Sequence, residues 1–252
     1  MRVSPTKVDR PIVFELCAET VEACIAAQDG AADRIELCSA LSEDGLTPSY
    51  GLVRVALDRC NVPIHVLLRP RGGDFLYSDA EYEVIREDLL HLRETGVSGF
   101  VLGFLHADKN VDMERTRALV ELAAPLEVTF HRAFDSTPSL EQALEEVIAT
   151  GCHRVLTSGG EADVVAGAAA LAGLVKQAAG RIEIAVGGGL RLEDAGKLAR
   201  ITHAKHFHGS LRYTEQRPVL AGADTEPEES TRMRGTVQGK DIRTLIDALR
   251  HG

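Results

Sequence analysis

A chain of 252 residues with 44% hydrophobic and 26% charged side chains has ample Val, Leu, Ile and Ala for one large core. It is the right length for a single barrel domain, which takes roughly 250 residues. The formal charge of −10 excludes the basic excess that nucleic acid or an anionic membrane surface requires.

No run approaches the ~18 apolar residues of a membrane span. The N-terminal MRVSPTKVDRP has no apolar stretch behind its charges, so it does not read as a signal peptide. Five scattered cysteines, an odd number, fit a reduced cytoplasmic compartment.

In chain order, a strand is predicted at Ile12–Cys17 and a helix at Thr20–Gln28, then Arg34–Cys38 and Pro48–Arg59, Ile64–Arg69 and Asp79–Thr95. The alternation continues with Gly99–Phe104 and Met113–Ala123, Leu126–His131 and Leu140–Thr150, Arg154–Ser158 and Val164–Ala179. It closes with Ile182–Val186 and Leu192–Arg200, then Lys205–Gly209 and Asp241–Leu249. Thr47-Pro48, Ser78-Asp79 and Thr137-Pro138 mark helix starts; Gly30, Gly96, Gly151 and Gly180 are expected to stop helices in the left-handed conformation.

Strict β/α alternation with short connections implies parallel strands and right-handed crossovers. Eight units predict a single closed (β/α)8 TIM barrel over 1–252, with an N-terminal extension at 1–11; an open doubly wound sheet is the alternative. Two connections are long: Pro70–Ser78 and the acidic 211–239 after strand eight. Both fall at the C-terminal ends of strands, the face where barrels keep their chemistry.

Side chains alternate along a strand, so parity separates the helix-facing side from the barrel interior. Ile12, Phe14, Leu16, Ile35, Leu37, Ile64, Val66, Leu68, Val128 and Phe130 should face the helices. That turns Glu15, Cys17, Glu36, Cys38, His65, Arg69, Thr129, His131, Ser158 and His208 inward. Buried carboxylates need partners, and Arg69 and His131 are the expected ones for Glu15 and Glu36.

The repeat Glu15-Leu16-Cys17 and Glu36-Leu37-Cys38 places two thiols on adjacent strands, at an expected equal height. Neighbouring strands lie ~4.8 Å apart, so the sulfurs could share one soft cation. Two sulfurs are too few for structural zinc, and Cu(I) is the better chemical match. Gly187-Gly188-Gly189 and Gly209-Ser210, together with Ser158-Gly159-Gly160, could cradle an anion on backbone amides or could simply make tight turns. His203, His206 and His208 are spaced like ligands, but His203 falls in the loop before strand eight and the three should not converge.

The runs FELCAET (Phe14–Thr20), ADRIELC (Ala32–Cys38), RPRGGDF (Arg69–Phe75), TFHRAFD (Thr129–Asp135), RVLTSG (Arg154–Gly159) and HGS (His208–Ser210) resemble the CutC family in content, order and spacing, over about residues 12–210. The resemblance implies a TIM barrel, often oligomeric, assigned to cytoplasmic copper homeostasis. It puts Cys17 and Cys38 forward as the Cu(I) thiolates, and matches Glu15, Glu36, Arg69, Arg71, Asp74, His131, Arg132, Asp135 and Ser158 to the family's polar face.

Two functions are therefore expected. The first is Cu(I) binding through Cys17 and Cys38 in a cytoplasmic homo-oligomer. The second is an enzyme acting on a small anionic or phosphorylated substrate. Glu15, Glu36 or His131 would then carry acid–base chemistry. Arg69, Arg71, Asp74, Arg132, Asp135 and Ser158, with the loops at Gly159, Gly188, Gly189, Gly209 and Ser210, would bind the ligand.

Overall fold

The computed structural model describes residues 12–211, 213–217 and 232–252. Eight parallel strands close into a barrel in sequence order: β1 (Val13–Ala18), β2 (Arg34–Leu37), β3 (Ile64–Leu67), β4 (Gly99–Leu102), β5 (Glu127–Phe130), β6 (Arg154–Thr157), β7 (Glu183–Gly187) and β8 (His206–Gly209). Helices α1 (Val21–Asp29), α2 (Tyr50–Arg59), α3 (Asp79–Arg93), α4 (Met113–Ala123), α5 (Leu140–Thr150), α6 (Ala168–Ala178), α7 (Leu192–Thr202) and α8 (Gly239–His251) follow the strands around the outside. The predicted (β/α)8 barrel is the observed one. No helix among the described residues is long and apolar enough to cross a membrane.

The main core lies between strands and helices. Phe14, Ile35, Phe100, Phe130 and Phe207 are fully or almost fully buried there, each contributing roughly 1.5–3 kcal/mol by leaving water. This is the parity expected from the sequence, because successive side chains must take opposite faces of a strand.

Helix starts differ in detail. Ser49 and Ser139, two residues beyond the predicted Thr47 and Thr137, accept the first-turn amides of α2 and α5. Only Ser78 caps where expected, in a reciprocal capping box with Glu81. Gly30 is not left-handed but has φ −82°. A Cβ there would lie 2.5 Å from that of Ile242, so the glycine lets α8 close against α1.

The segment after β8 is not simply a loop. Tyr213–Arg217 and Arg232–Thr236 pair as an antiparallel ribbon, β9 and β10. The acidic stretch 222–230 and the N-terminal extension 1–11 lie outside the described residues.

Candidate functional site

The barrel interior departs from the apolar layers usual in this fold. Glu15 stands opposite Arg34 on β2 and His208 on β8. Glu36 stands opposite Cys17 on β1 and His65 on β3. Lower down, Arg154 donates to Thr129 and Glu127 (both 2.9 Å) and approaches His206 Nδ1 (3.4 Å). Exchanging apolar packing for buried charge rarely benefits stability, so this column marks the interior as a place where charge is used.

The carboxylates do not pair with Arg69 and His131 as expected. Arg34 Nε donates to Glu15, and His208 Nδ1 lies 2.8 Å from the other Glu15 oxygen. The reason is register: the stagger between β1 and β2 sets Arg34, two residues below Glu36, level with Glu15. Burial alone would raise Glu15, but Arg34 and His208 hold it well below the usual carboxylate range. Its partners are satisfied, and it lies beneath the cavity rather than on it.

The two thiols are not at equal height. Cys17 is level with Glu36, and Cys38 sits one step higher, its amide donating to the Ala18 carbonyl. The sulfurs nevertheless meet, 3.7 Å apart, with Cys17 Sγ 3.8 Å from Glu36 Oε1. Ligand atoms of Cys17, Glu36 and His208 all lie within 4.8 Å of one another. Cys38 is wholly buried behind Cys17, in a small interior cluster with Leu67 and Val101.

The electrostatics of this cluster are coupled. The Cys38 sulfur and burial push the Cys17 thiol well above its ordinary range. Burial lifts the Glu36 carboxyl to about 7, with help from Glu15 and against the pull of His208. Burial works against charge on His208, yet Glu36, Cys17 and Glu15 raise it well above the usual imidazole range. Glu36 Oε2 has no hydrogen-bond partner. A buried acceptor without a donor, beside two thiols and an imidazole, is an arrangement a cation would complete.

Above the cluster opens a cavity of about 490 Å³ at the C-terminal ends of the strands. Cys17, Glu36 and His208 contribute to its lining, as do Arg69, His131, Arg132 and Asp135 from the loops after β3 and β5. Gly188 and Gly189 contribute from the loop after β7, Gly209 from the end of β8 and Ser210 from just beyond it.

Two sequence-predicted arginines hold the loops of this wall in place, Arg69 from within the lining and Arg71 from outside it. Arg69 spends its guanidinium on the carbonyls of Glu43 (2.5 Å), Gly45 (2.8 Å) and Gly73 (2.9 Å), tying two loops together. Arg71 pairs with Glu81 and Asp74; Arg71 and Asp74 clamp the loop after β3 and do not line the cavity.

The expected amide cradle after β6 holds a side chain of the protein itself. Asp135 accepts the N–H groups of Ser158 (3.1 Å) and Gly160 (3.0 Å), and pairs with Arg132 (2.9 Å). Ser158 is fully buried and its hydroxyl donates to the Glu161 carbonyl (2.6 Å); the Gly159 amide donates to Thr157 Oγ1 (2.8 Å).

Sequence reasoning placed His208 inward but gave it no role, weighed His206 only within the rejected histidine triad, and missed Arg34 and Arg154 as interior residues. The same parity count extended downward would have found both. His203 caps α7 outside the barrel, and the three histidines do not converge.

The CutC family profile matches residues 12–213 of this chain. The chain belongs to the CutC family. It is 49% identical over 200 residues to a CutC family protein of Chromobacterium violaceum, covering 79% of this chain and 81% of that one. A CutC family protein of Mesorhizobium japonicum is 43% identical over 231 residues, covering 88% and 89%. The crystal structure of CutC from Streptococcus agalactiae, a protein named for copper homeostasis, superposes with a TM-score of 0.75 at 32% identity, covering 79% of this chain and 98% of that one. The matched span contains every strand of the CutC barrel and all of the cavity-lining residues.

Proposed function

We propose that this CutC family protein binds a single Cu(I) ion as its cargo at the floor of the C-terminal cavity. The observation that carries the reading is the 3.7 Å approach of Cys17 and Cys38 sulfurs beside the mutually close donors of Glu36 and His208. Thiolates and imidazole are soft to borderline ligands that favour Cu(I) over hard cations.

The metal-free cluster stores the protons that an ion would displace. Cys17 is held as a thiol and His208 as an imidazolium, so a Cu(I) ion held by both would displace a proton from each, and uptake of the ion is linked to proton release. All five cysteines are free thiols, as the reducing cytoplasm would keep them.

An anaerobic Cu(I) titration against a competing chelator tests the reading. Wild type should take up one equivalent, and the Cys17→Ser/Cys38→Ser variant none, with the barrel's circular dichroism unchanged. Equal uptake by both proteins would sink it.

A further inference from the structure

The cavity is far larger than a cation needs, and falls in the range of small-molecule pockets, about 300–1,000 Å³. Away from the sulfur cluster, its wall holds a second group of unmet polar atoms. His131 Nδ1 accepts the Ala133 N–H (3.1 Å), so the ring proton sits on Nε2. That Nε2–H is buried without a partner. The Nε of Arg69 is also buried without completing a hydrogen bond, as is the hydroxyl of Tyr77, which is not part of the cavity lining.

Phe75 joins the first two groups. Its ring centroid lies 4.8 Å from that of His131 and 5.2 Å from Arg69 Cζ. His131 is 6% exposed and Arg69 3%, and both line the cavity with Phe75. Native proteins seldom leave buried donors unpaired unless water or a ligand completes them.

A cation stands on the same cavity. Arg132 commits Nε to Asp135 (2.9 Å) and Nη2 to Ser158 (3.0 Å), which fixes the plane of the guanidinium and leaves Nη1 without a hydrogen-bond partner among the described residues. Gly188, at φ +111°, allows this. A Cβ there would come within 3.1 Å of Arg132 Cζ. Leu67, Leu156 and Leu190 add apolar lining, which suits a carbon skeleton.

We infer that the cavity also binds a small organic carboxylate, held by Arg132 at one end and accepting the His131 Nε2–H on a carbonyl or second carboxylate oxygen at the other. Burial and the Arg69 cation push His131 down to about 3, so it meets the ligand as a neutral donor. Inorganic phosphate fits less well, because the amide cradle that would hold it is filled by the Asp135 carboxylate.

The test uses the full metal-free chain, so its result does not depend on Cu(I) affinity. Pyruvate, malonate, 2-oxoglutarate and inorganic phosphate are titrated calorimetrically, with ¹⁵N-histidine spectra recorded in parallel. At least one carboxylate should saturate and shift the His131 Nε2–H resonance, with phosphate binding at least tenfold more weakly. His131→Asn keeps an oxygen for the Ala133 amide but lacks the distal N–H, and should bind tenfold or more weakly. Arg132→Gln, at a partly exposed side chain, should lose a similar factor and keeps the test open should His131→Asn fail to fold. The proposal falls if no carboxylate saturates, if both variants bind as wild type does, or if phosphate competes equally.

Discussion

Cys17 and Cys38 bring their sulfurs to 3.7 Å although the β1–β2 ladder sets Cys17 level with Glu36. The two thiols are therefore unequal. Cys17 faces the cavity beside Glu36 and His208, whereas Cys38 is sealed behind it. Cys17→Ser should abolish Cu(I) uptake, and Cys38→Ser should weaken it about 10–100-fold, the range for losing a supporting partner. Because the Cys17 thiol is pushed up, binding releases a proton and affinity should rise with pH. A chelator competition run at several pH values reads both effects, and identical losses in the two variants would count against the asymmetry.

Glu15 and Arg34 form the buried ion pair beneath this site. Arg34→Met leaves a buried carboxylate with only His208 and should cost about 3–5 kcal/mol in urea unfolding at pH 7. The Glu15→Gln/Arg34→Met variant should recover part of that loss, since the two effects are coupled. Glu15 is held below its unfolded value of 4.5, so its contribution is present above that pH and lost as pH falls through the folded value. The stability gap between Glu15→Gln and wild type should narrow in acid. A gap that persists unchanged would mean that the pair is not the source.

His65, pushed down mainly by burial to about 4, and His206, pushed down the same way to about 3, are neutral in the folded barrel. Their unfolded value is 6.5, so below it the unfolded chain binds more protons and stability falls with pH. The loss should begin near pH 6.5 and continue toward about 4 for His65 and about 3 for His206. His206→Gln should flatten this acid limb in denaturation curves recorded from pH 7 to 4. A limb as steep as that of wild type would assign the loss to other groups.

Asp135 accepts two amides of the loop after β6 and pairs with Arg132. Asp135→Asn removes the charge from those bonds and should cost about 1.5–3 kcal/mol, the worth of a charge-assisted hydrogen bond. It should also free Arg132, visible as faster hydrogen exchange at Ser158 and Gly160. Unchanged exchange at both amides would show that the loop holds itself.

Gly188→Ala should strain a backbone at φ +111° and crowd the Arg132 guanidinium. Thermal unfolding should shift down by several degrees. The same change at Gly51, where the nearest atom is 4.0 Å from a Cβ, should not lower it.

Much of the architecture was legible because it rests on local rules. The alternation of apolar runs from Phe14 to Phe207 announces eight strands, and parity alone turns Glu15, Cys17 and Glu36 inward. What parity cannot supply is the stagger between neighbouring strands. That stagger sets Arg34 against Glu15 and lifts Cys38 above Cys17; it arises from closing the sheet into a barrel, a property of all eight strands together.

The loops show the same division. RPRGGDF marked Arg69 and Arg71 as polar residues at a strand end, but not their targets. Arg69 turns to the carbonyls of Glu43, Gly45 and Gly73, and Arg71 to Glu81. The glycines after β6 had the composition of an anion cradle, and only the fold brought Asp135 from the neighbouring strand's loop to fill it. The sequence by itself determined which residues face inward at the C-terminal end of this barrel, because a strand's period of two is local. The tertiary structure decided which of them meet, because distances between side chains on different strands depend on shear and closure, which no single segment encodes.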